Sequence, residues 1–464
     1  MPFPRDVTLT MALSILASAV ASAQPFTFSR FDTASVDGAR GVVVADFDRN
    51  GWPDVAQANG SRNAVTILLN HDGALTRASD ITVGRGPFAI ATGDLNHDGT
   101  IDLAVSNADG NSISLLKGRG DGTFTSSTWA VSVGGSPRGV LLADVDLDGF
   151  SDLIFTCYGS NEVFVYRSDG DGEHFHGGLG FSVYRPQGIA IADFDHDGLP
   201  DLAIASEGVA GVVAILDLAG PNFPVTRTLG GPVSTNVLTI GDFNRDGWDD
   251  IAAASTNANR VAVYLGTASG PTNSRLFSTG SSPRGIDSGD LNLDGRLDLV
   301  IANRDSNDIS VLAGTGTSSL FASPMRLAAG QGSRAAVVTD VDIDGLPDIV
   351  TGNQFAATVT LLTNTTALAR AGYVMGGYVY LAANRKPNFS NIVPADFNRD
   401  GKPDVVFADT NNNLVMALTD GAVATVATLD PDRASRLAAA DLDLDGCLDI
   451  VVFVRNASPG AVHT

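Results

Sequence analysis

Cysteine is almost missing from this chain: its 464 residues hold two, Cys157 and Cys447. That scarcity excludes a disulfide-dense scaffold and any multi-cysteine zinc module. Bridging the two would require the last repeats to fold back on the first half. Basic residues are also short, 29 Lys+Arg against 52 Asp+Glu, for a formal net charge of −23. Nucleic acid is excluded as a partner, because phosphate binding depends on Lys and Arg. Long apolar runs occur only within the first 23 residues, so the mature chain is expected to lack a transmembrane segment. Helical periodicity of useful length is absent after that point. No Gly-x-Ser-x-Gly elbow occurs, and the glycine-rich stretches form neither a dinucleotide-binding nor a P-loop pattern.

What is present begins with an export signal. Arg5 supplies a positive start, Met11 to Ala21 an apolar stretch, and Ala21-Ser22-Ala23 a small-residue cleavage site before Gln24. The expected compartment is secreted or extracellular, with periplasm or cell surface as variants. A membrane anchor is the alternative reading of residues 1–23, disfavoured by the shortness of the apolar stretch.

One pattern then organises the chain: Asp-x-(Asp/Asn)-x-(Asp/Asn)-Gly-x-x-Asp followed by Leu, Ile or Val. It starts at Asp46, Asp94, Asp144, Asp193, Asp242, Asp290, Asp340, Asp396 and Asp441. The intervals are 48, 50, 49, 49, 48, 50, 56 and 45 residues, the mark of a repeat architecture. Short apolar runs flank each loop, as in Gly188–Ala192 and Asp201–Ala205. A third run alternates, as in Val261–Leu265, and a weaker fourth is typically led by Phe, as at Phe124 and Phe175. Runs this short between Gly, Asn, Asp and Ser are strands joined by tight turns. Four strands per period make one blade, so the fold is expected to be all-β, a β-propeller of four-stranded blades.

The blade count follows from the ends. The segment Phe26–Phe31 is an orphan outer strand, able to complete a last blade whose first three strands come from repeat seven. The regular spacing breaks between Asp340 and Asp396. Residues 24–366 are therefore expected to form a seven-bladed ring, with eight as the alternative count. Residues 367–464 carry two further repeats, an accessory or truncated second unit.

The acidic excess belongs to the loops. Their first, third, fifth and ninth positions comprise 36 residues, 31 Asp and five Asn; without those 31 the chain would carry +8. Three carboxylates two residues apart, closed by glycine, repel one another and lose water unless a cation sits among them. Calcium takes six to eight oxygens, which suits side chains at positions one, three and five plus the carbonyl at seven. Position seven varies from Trp52 and Thr100 to Arg296, Lys402 and Cys447, as expected if only its backbone is used. The helix-loop-helix calcium motif ends in Glu at position twelve; here the ninth residue is Asp and the flanks are strands. Up to nine structural Ca2+ sites are thus expected. The ligands of the first three are Asp46, Asp48, Asn50, Asp54; Asp94, Asn96, Asp98, Asp102; and Asp144, Asp146, Asp148, Asp152. Those of the next three are Asp193, Asp195, Asp197, Asp201; Asp242, Asn244, Asp246, Asp250; and Asp290, Asn292, Asp294, Asp298. The last three use Asp340, Asp342, Asp344, Asp348; Asp396, Asn398, Asp400, Asp404; and Asp441, Asp443, Asp445, Asp449. The competing reading, that Asp-Gly merely makes turns, does not explain the recurrent ninth Asp.

The stretch Asp144-Val-Asp146-Leu-Asp148-Gly149-Phe-Ser-Asp152-Leu153 and its relatives resemble the FG-GAP/VCBS-type repeat. That repeat is found in calcium-loop propellers such as integrin α-subunit heads and some fungal lectins. Gly120–Phe124 and the turn Gly134–Gly139 match secondary features of the repeat, while the turn at Gly332-Ser333-Arg334 and the segment Thr365–Pro387 depart from it. The resemblance covers nearly the whole mature chain and bears on fold and metal more than on activity.

No catalytic constellation is recognisable, so the protein is read as a non-enzyme. It is expected to be a secreted calcium-binding scaffold for an extracellular protein or glycan. The narrower alternative is a lectin, with Trp52, Trp129, Trp248 or Tyr184 lining repeated pockets. A third is a hydrolase or lyase on the propeller face. His174 and His176 form a weak transition-metal candidate, and His97 and His196 should face outward at loop position four. Arg119-Gly120-Asp121 spells an integrin-recognition tripeptide inside a hairpin turn. Asn59, Asn364, Asn388 and Asn456 head glycosylation patterns.

Overall fold

In the computed structural model the described residues are 26–34, 38–129, 135–208, 212–217, 225–232, 234–272 and 274–366, together with strands between 389 and 455. The chain divides into two compact units, Met1–Leu368 and Ala369–Thr464.

The first unit is a propeller of four-stranded antiparallel blades. Six blades are built from consecutive strands. Their inner strands are Ala39–Ala45, Pro87–Gly93, Pro137–Ala143, Pro186–Ala192, Thr235–Gly241 and Pro283–Gly289. The repeat arithmetic expected a ring of seven with its last blade completed by the N-terminal segment; the structure shows six blades of consecutive strands and, beside them, that composite sheet. After the sixth, strands Val337–Thr339, Asp348–Asn353 and Thr358–Asn364 have no fourth strand of their own among the described residues that follow. The N-terminal strand Phe28–Ala34 supplies it, running antiparallel with Phe28 opposite Asn364 and Ala34 opposite Thr358. The resulting composite sheet packs between the sixth and first blades.

Burial grades outward from the second strand of each sheet. Every residue of Asp54–Asn59, Asp102–Asn107, Asp152–Cys157, Asp201–Ser206, Asp250–Ser255, Asp298–Asn303 and Asp348–Asn353 is buried. These strands are covered on both faces by neighbouring sheets, which is why they read as continuous rather than alternating apolar runs. Outer strands such as Ala74–Thr82 are mostly exposed. The core is accordingly divided among the interfaces. Phe47 and Ile67 of the first blade meet Leu103 and Leu116 of the second. Phe155 and Phe164 of the third meet Leu95 and Ile113 of the second. Closure uses the same device: Val350 and Val359 of the composite sheet pack with Val42 and Leu68. Its other face sets Ile349 and Leu362 against Val300 and Val311. Each buried aliphatic contributes about 1.5–3 kcal/mol, so the wheel is held by many modest contacts rather than one centre.

Asparagines stitch the sheets together. Asn63, Asn111, Asn161, Asn259 and Asn307 each adopt positive φ in the turn between second and third strands, a conformation their side chains tolerate. Their Oδ1 atoms accept the backbone N–H of Gly86, Ser136, Arg185, Ser282 and Gly332, at the entry to the following sheet, at 2.7–2.9 Å.

In the second unit, strands Phe389–Ala395, Asp404–Asp409, Leu414–Thr419 and Ala422–Thr428 form an antiparallel sheet, and Arg433–Ala440 pairs with Asp449–Arg455. Asp404 and Asp449 open strands, while Asp396, Asn398, Asp400, Asp441, Asp443, Asp445 and Cys447 lie outside the described residues, as does the export signal. Among the described residues no helix is long and apolar enough to cross a membrane.

Candidate metal loops and the opposite channel mouth

The seven Asp loops of the first unit share one geometry. Each joins an inner strand to the buried second strand. The first Asp accepts the backbone N–H of the loop glycine through Oδ2, as in Asp144–Gly149 at 2.8 Å and Asp290–Gly295 at 2.6 Å. The fifth residue accepts the N–H of the seventh, as in Asp148–Phe150 at 2.9 Å. Glycine at position six takes φ between 77° and 93°, which its missing Cβ allows. Position two, from Phe47 to Val341, is a buried apolar plug.

The ninth Asp is a clamp as well as a candidate ligand. In the first loop Asp54 Oδ2 accepts Phe47 N–H at 2.8 Å and Oδ1 accepts Asn70 N–H at 2.7 Å. The pair recurs at Asp102, Asp152, Asp250, Asp298 and Asp348. Thus one carboxylate ties the loop's start to the end of the third strand. Burial, reinforced by the loop's other acids, pushes the carboxyls of Asp54, Asp152, Asp250 and Asp348 up to about 6 and Asp298 to about 7, against the pull of those N–H groups.

In four loops three acids bring oxygens within 4.8 Å of one another: Asp46, Asp48 and Asp54; Asp144, Asp146 and Asp152; Asp193, Asp195 and Asp197; Asp340, Asp342 and Asp344. The loops with Asn at position three behave differently. There the amides of Asn96, Asn244 and Asn292 donate to Asp98, Asp246 and Asp294 at 2.9, 2.8 and 3.2 Å. A side-chain donor at position three relieves part of the repulsion in these loops; in the first and third loops Asn50 donates to Asp48 and Arg167 pairs with Asp146, both at 3.2 Å. The donor chemistry fits a hard cation. Asp94 Oδ1, Asp146 Oδ1 and Asp342 Oδ1 are buried carboxylate oxygens with no hydrogen-bond partner, an arrangement costly in a dry site.

Position seven is less indifferent than the sequence suggested. Trp248 stacks on His196, position four of the preceding loop, at 4.0 Å between ring centroids, and Phe150 meets His97 edge-on at 4.8 Å. Position four therefore turns outward yet bridges neighbouring loops.

The other candidates resolve simply. His174 pairs with Asp171 and His176 with Asp169, both exposed, with no shared site. Arg119-Gly120-Asp121 is a turn, closed by Arg119 N–H to Thr123 O at 3.1 Å. Cys157 is a buried thiol pushed up to about 12 by desolvation. Trp52 and Trp248 occupy loop position seven, half-buried, whereas Tyr184 is exposed beside a different turn.

Sequence reasoning missed a second constellation at the opposite ends of the inner strands. Six residues ahead of each loop stand Arg40, Phe88, Arg138, Gln187, Asn236, Arg284 and Arg334, and all line one axial cavity of about 220 Å³. In each consecutive blade a register shift falls at this residue, for example between Pro137 and Val140 or Pro283 and Gly285. Such a bulge re-aims a side chain out of the ladder, here toward the axis. Glycine follows where inner strands crowd: a Cβ on Gly139 would lie 2.3 Å from Gln187 O. The fixed offset of six residues was the available signal.

No curated protein matches the sequence. Among solved structures, BBS1N in complex with ARL6DN is similar over 74% of this chain and 98% of that one, at 13% identity and a TM-score of 0.52. Hydrazine synthase of Kuenenia stuttgartiensis is similar over 72% and 98%, at 16% identity and a TM-score of 0.53. At such identities the likeness is one of fold. The sequence matches the FG-GAP-like repeat over residues 46–105, 94–155, 144–204, 242–301, 290–351 and 396–452, well over half its length. This chain belongs to the FG-GAP-like repeat family.

Proposed function

We propose that this protein is an exported, calcium-stabilised propeller that serves as a binding or adhesion scaffold for an extracellular protein or glycan. Its composite sheet makes it a ring of seven sheets. The observation that carries the metal reading is the set of buried, unpartnered oxygens of Asp94, Asp146 and Asp342 inside the loops. A cation of 2.3–2.6 Å oxygen distance supplies the missing partner, and near-octahedral magnesium suits such loops less well. The ligands are the loop residues of positions one, three, five and nine, from Asp46 to Asp348, with those of residues 396–404 and 441–449 assigned by repetition alone. The ninth carboxylates carry both duties, since each oxygen retains a lone pair beyond its N–H bond.

Adhesion is the functional half of the reading. A ring of buried sheets held at each first connection presents its turns in fixed positions, and recognition belongs to those turns. The repeat family and the absence of a catalytic constellation favour a scaffold over an enzyme. The lectin variant is the weaker one, because Trp248 already stacks on His196 and Tyr184 stands outside the loop position that Trp52 and Trp248 share.

Calorimetric titration of chelator-treated protein with CaCl2 tests the metal assignment. Saturable uptake with several calcium ions per chain supports it; no heat and no shift in melting temperature removes it.

A further inference from the structure

The mouth of the axial cavity gathers four cations that, among the described residues, stand outside any ion pair. Arg40, Arg138, Arg284 and Arg334 come from four different sheets of a chain whose net charge is −23. Three of them surround one ring: the guanidinium carbons of Arg138, Arg334 and Arg40 lie 4.4, 5.1 and 5.4 Å from the Phe88 centroid. Arg138 also lies 4.6 Å from the Tyr158 centroid. Contact with an aromatic face leaves the N–H edges of a guanidinium free to donate.

Those edges lack acidic partners. Among the described residues, no ion pair involves Arg40, Arg138, Arg284 or Arg334. Arg334, 9% exposed, donates to the neutral amide of Gln354 at 3.3 Å. Arg284 Nε is buried without a hydrogen-bond partner. Asn236, 3% exposed and on the same ring, has its Nδ2 likewise unpartnered. The acids that act on these guanidiniums do so through space: Glu207, which accepts from Gln187 Nε2, on Arg138 and Arg284; Asp109 on Arg138; and Asp305, which pairs with Arg304 at 2.7 Å, on Arg284. Among the residues lining the cavity, both buried polar atoms without a partner, Arg284 Nε and Asn236 Nδ2, are donors, and burial together with the neighbouring guanidiniums holds the Arg334 group well below its usual range.

We propose that the axial cavity binds a small multivalent oxyanion, a dicarboxylate or a sulfate or phosphate group, through the edges of Arg40, Arg138, Arg284 and Arg334 with Asn236 as a neutral donor. The chemistry is that of planar forks meeting paired oxygens. A volume of about 220 Å³ admits a compact molecule or the acidic end of a larger one. Bulges and the small residues Gly41, Gly139, Gly188 and Gly285 provide the room. The site is distinct from the Asp loops, which lie at the other ends of the same strands.

The test uses the full chain in calcium-replete, low-salt chloride buffer, with sulfate and succinate as probes at up to about 5 mM, below the range where sulfate stabilises proteins generally. Saturable binding by calorimetry with a raised melting temperature is expected, weakened by added NaCl. Arg284→Gln and Arg40→Gln are each expected to lower affinity at least tenfold. They should also melt at or above the wild-type temperature without probe, because removing one cation relieves the others. A purely structural arginine cluster gives the reverse: variants that melt lower and no saturable probe binding in the wild type. Equal binding by wild type and variants overturns the assignment too. Repeating the titration in chelator separates the two sites, since loss of the loops' cation does not remove these donors.

Discussion

The two ends of the inner strands solve one electrostatic problem in opposite ways. At the far end each loop concentrates its own like charges, Asp144, Asp146, Asp148 and Asp152 within nine residues, and answers them with backbone N–H groups from the same sheet. At the near end four of the sheets contribute a single charge each, and the like charges meet only because seven strands converge on an axis. A residue repeated off the axis yields many local sites; repeated on the axis it yields one. The first kind is modular and redundant, the second shared and sensitive to each sheet's position.

The largest test of this contrast is removal of divalent cations. With each occupied loop stabilising the fold by up to about 2.7 kcal/mol at a hundredfold excess over Kd, chelation is expected to lower the melting temperature by roughly 10 °C or more. Restored CaCl2 should reverse the change. Titration should further resolve two classes, with the loops carrying Asn96, Asn244 and Asn292 filling last. An identical melt with and without chelator would break the comparison at its acidic end.

A smaller effect isolates one clamp. Asp298→Ala strands the buried N–H groups of Leu291 and Gly314, each orphan costing about 1–3 kcal/mol. The denaturation midpoint should fall by an amount equivalent to about 2–5 kcal/mol. Asp298→Asn, which keeps one acceptor oxygen, should cost clearly less. If both substitutions prove neutral, the carboxylate does not tie the loop to the third strand.

The pH dependence follows from the same groups. Without cation, the folded carboxyls of Asp54, Asp152, Asp250 and Asp348 titrate near 6 and Asp298 near 7, above the roughly 3.9 of an unfolded Asp. The folded state therefore binds protons more tightly. Its stability rises as pH falls from 8 toward 5 and is lost as pH climbs through the folded values. Chelated protein should melt several degrees higher at about pH 5.5 than at about pH 8, and saturating calcium should flatten or reverse that order. A chelated melt that increases with pH contradicts the burial argument.

The same contrast explains what the sequence disclosed. Loop residues lie within nine positions of one another, so their chemistry is visible in a short window. Sheet order followed from a period near 49 residues, and even the orphan strand at Phe28–Ala34 could be matched to its partner, because edge strands must find a ladder. The arginines stayed hidden because Arg138 and Arg284 are 146 positions apart and each, taken alone, is an ordinary turn residue after proline. Phe88, Gln187 and Asn236 at the equivalent position disguise the set further. Only the bulges, which no local pattern announces, turn these side chains to a common point. The stacking of Trp248 on His196 was invisible for a similar reason: it joins adjacent loops and not one loop to itself.

The smallest effect concerns backbone strain at the acidic end. Position four takes positive φ in every described loop, and Ile343 does so at 56° while 53% exposed. A β-branched residue resists that conformation, whereas Asn reaches it with little penalty. Ile343→Asn removes exposed apolar surface that makes little burial contribution and relieves the strain, so it should stabilise the fold by about 1 kcal/mol. The denaturation midpoint should rise with an unchanged slope. His196→Asn is the counter-case: the same relief is offset by loss of the stack on Trp248, and no net gain is expected. Should Ile343→Asn destabilise instead, its side chain must be holding the neighbouring loop as His196 does, and position four would be an interface between loops throughout the ring.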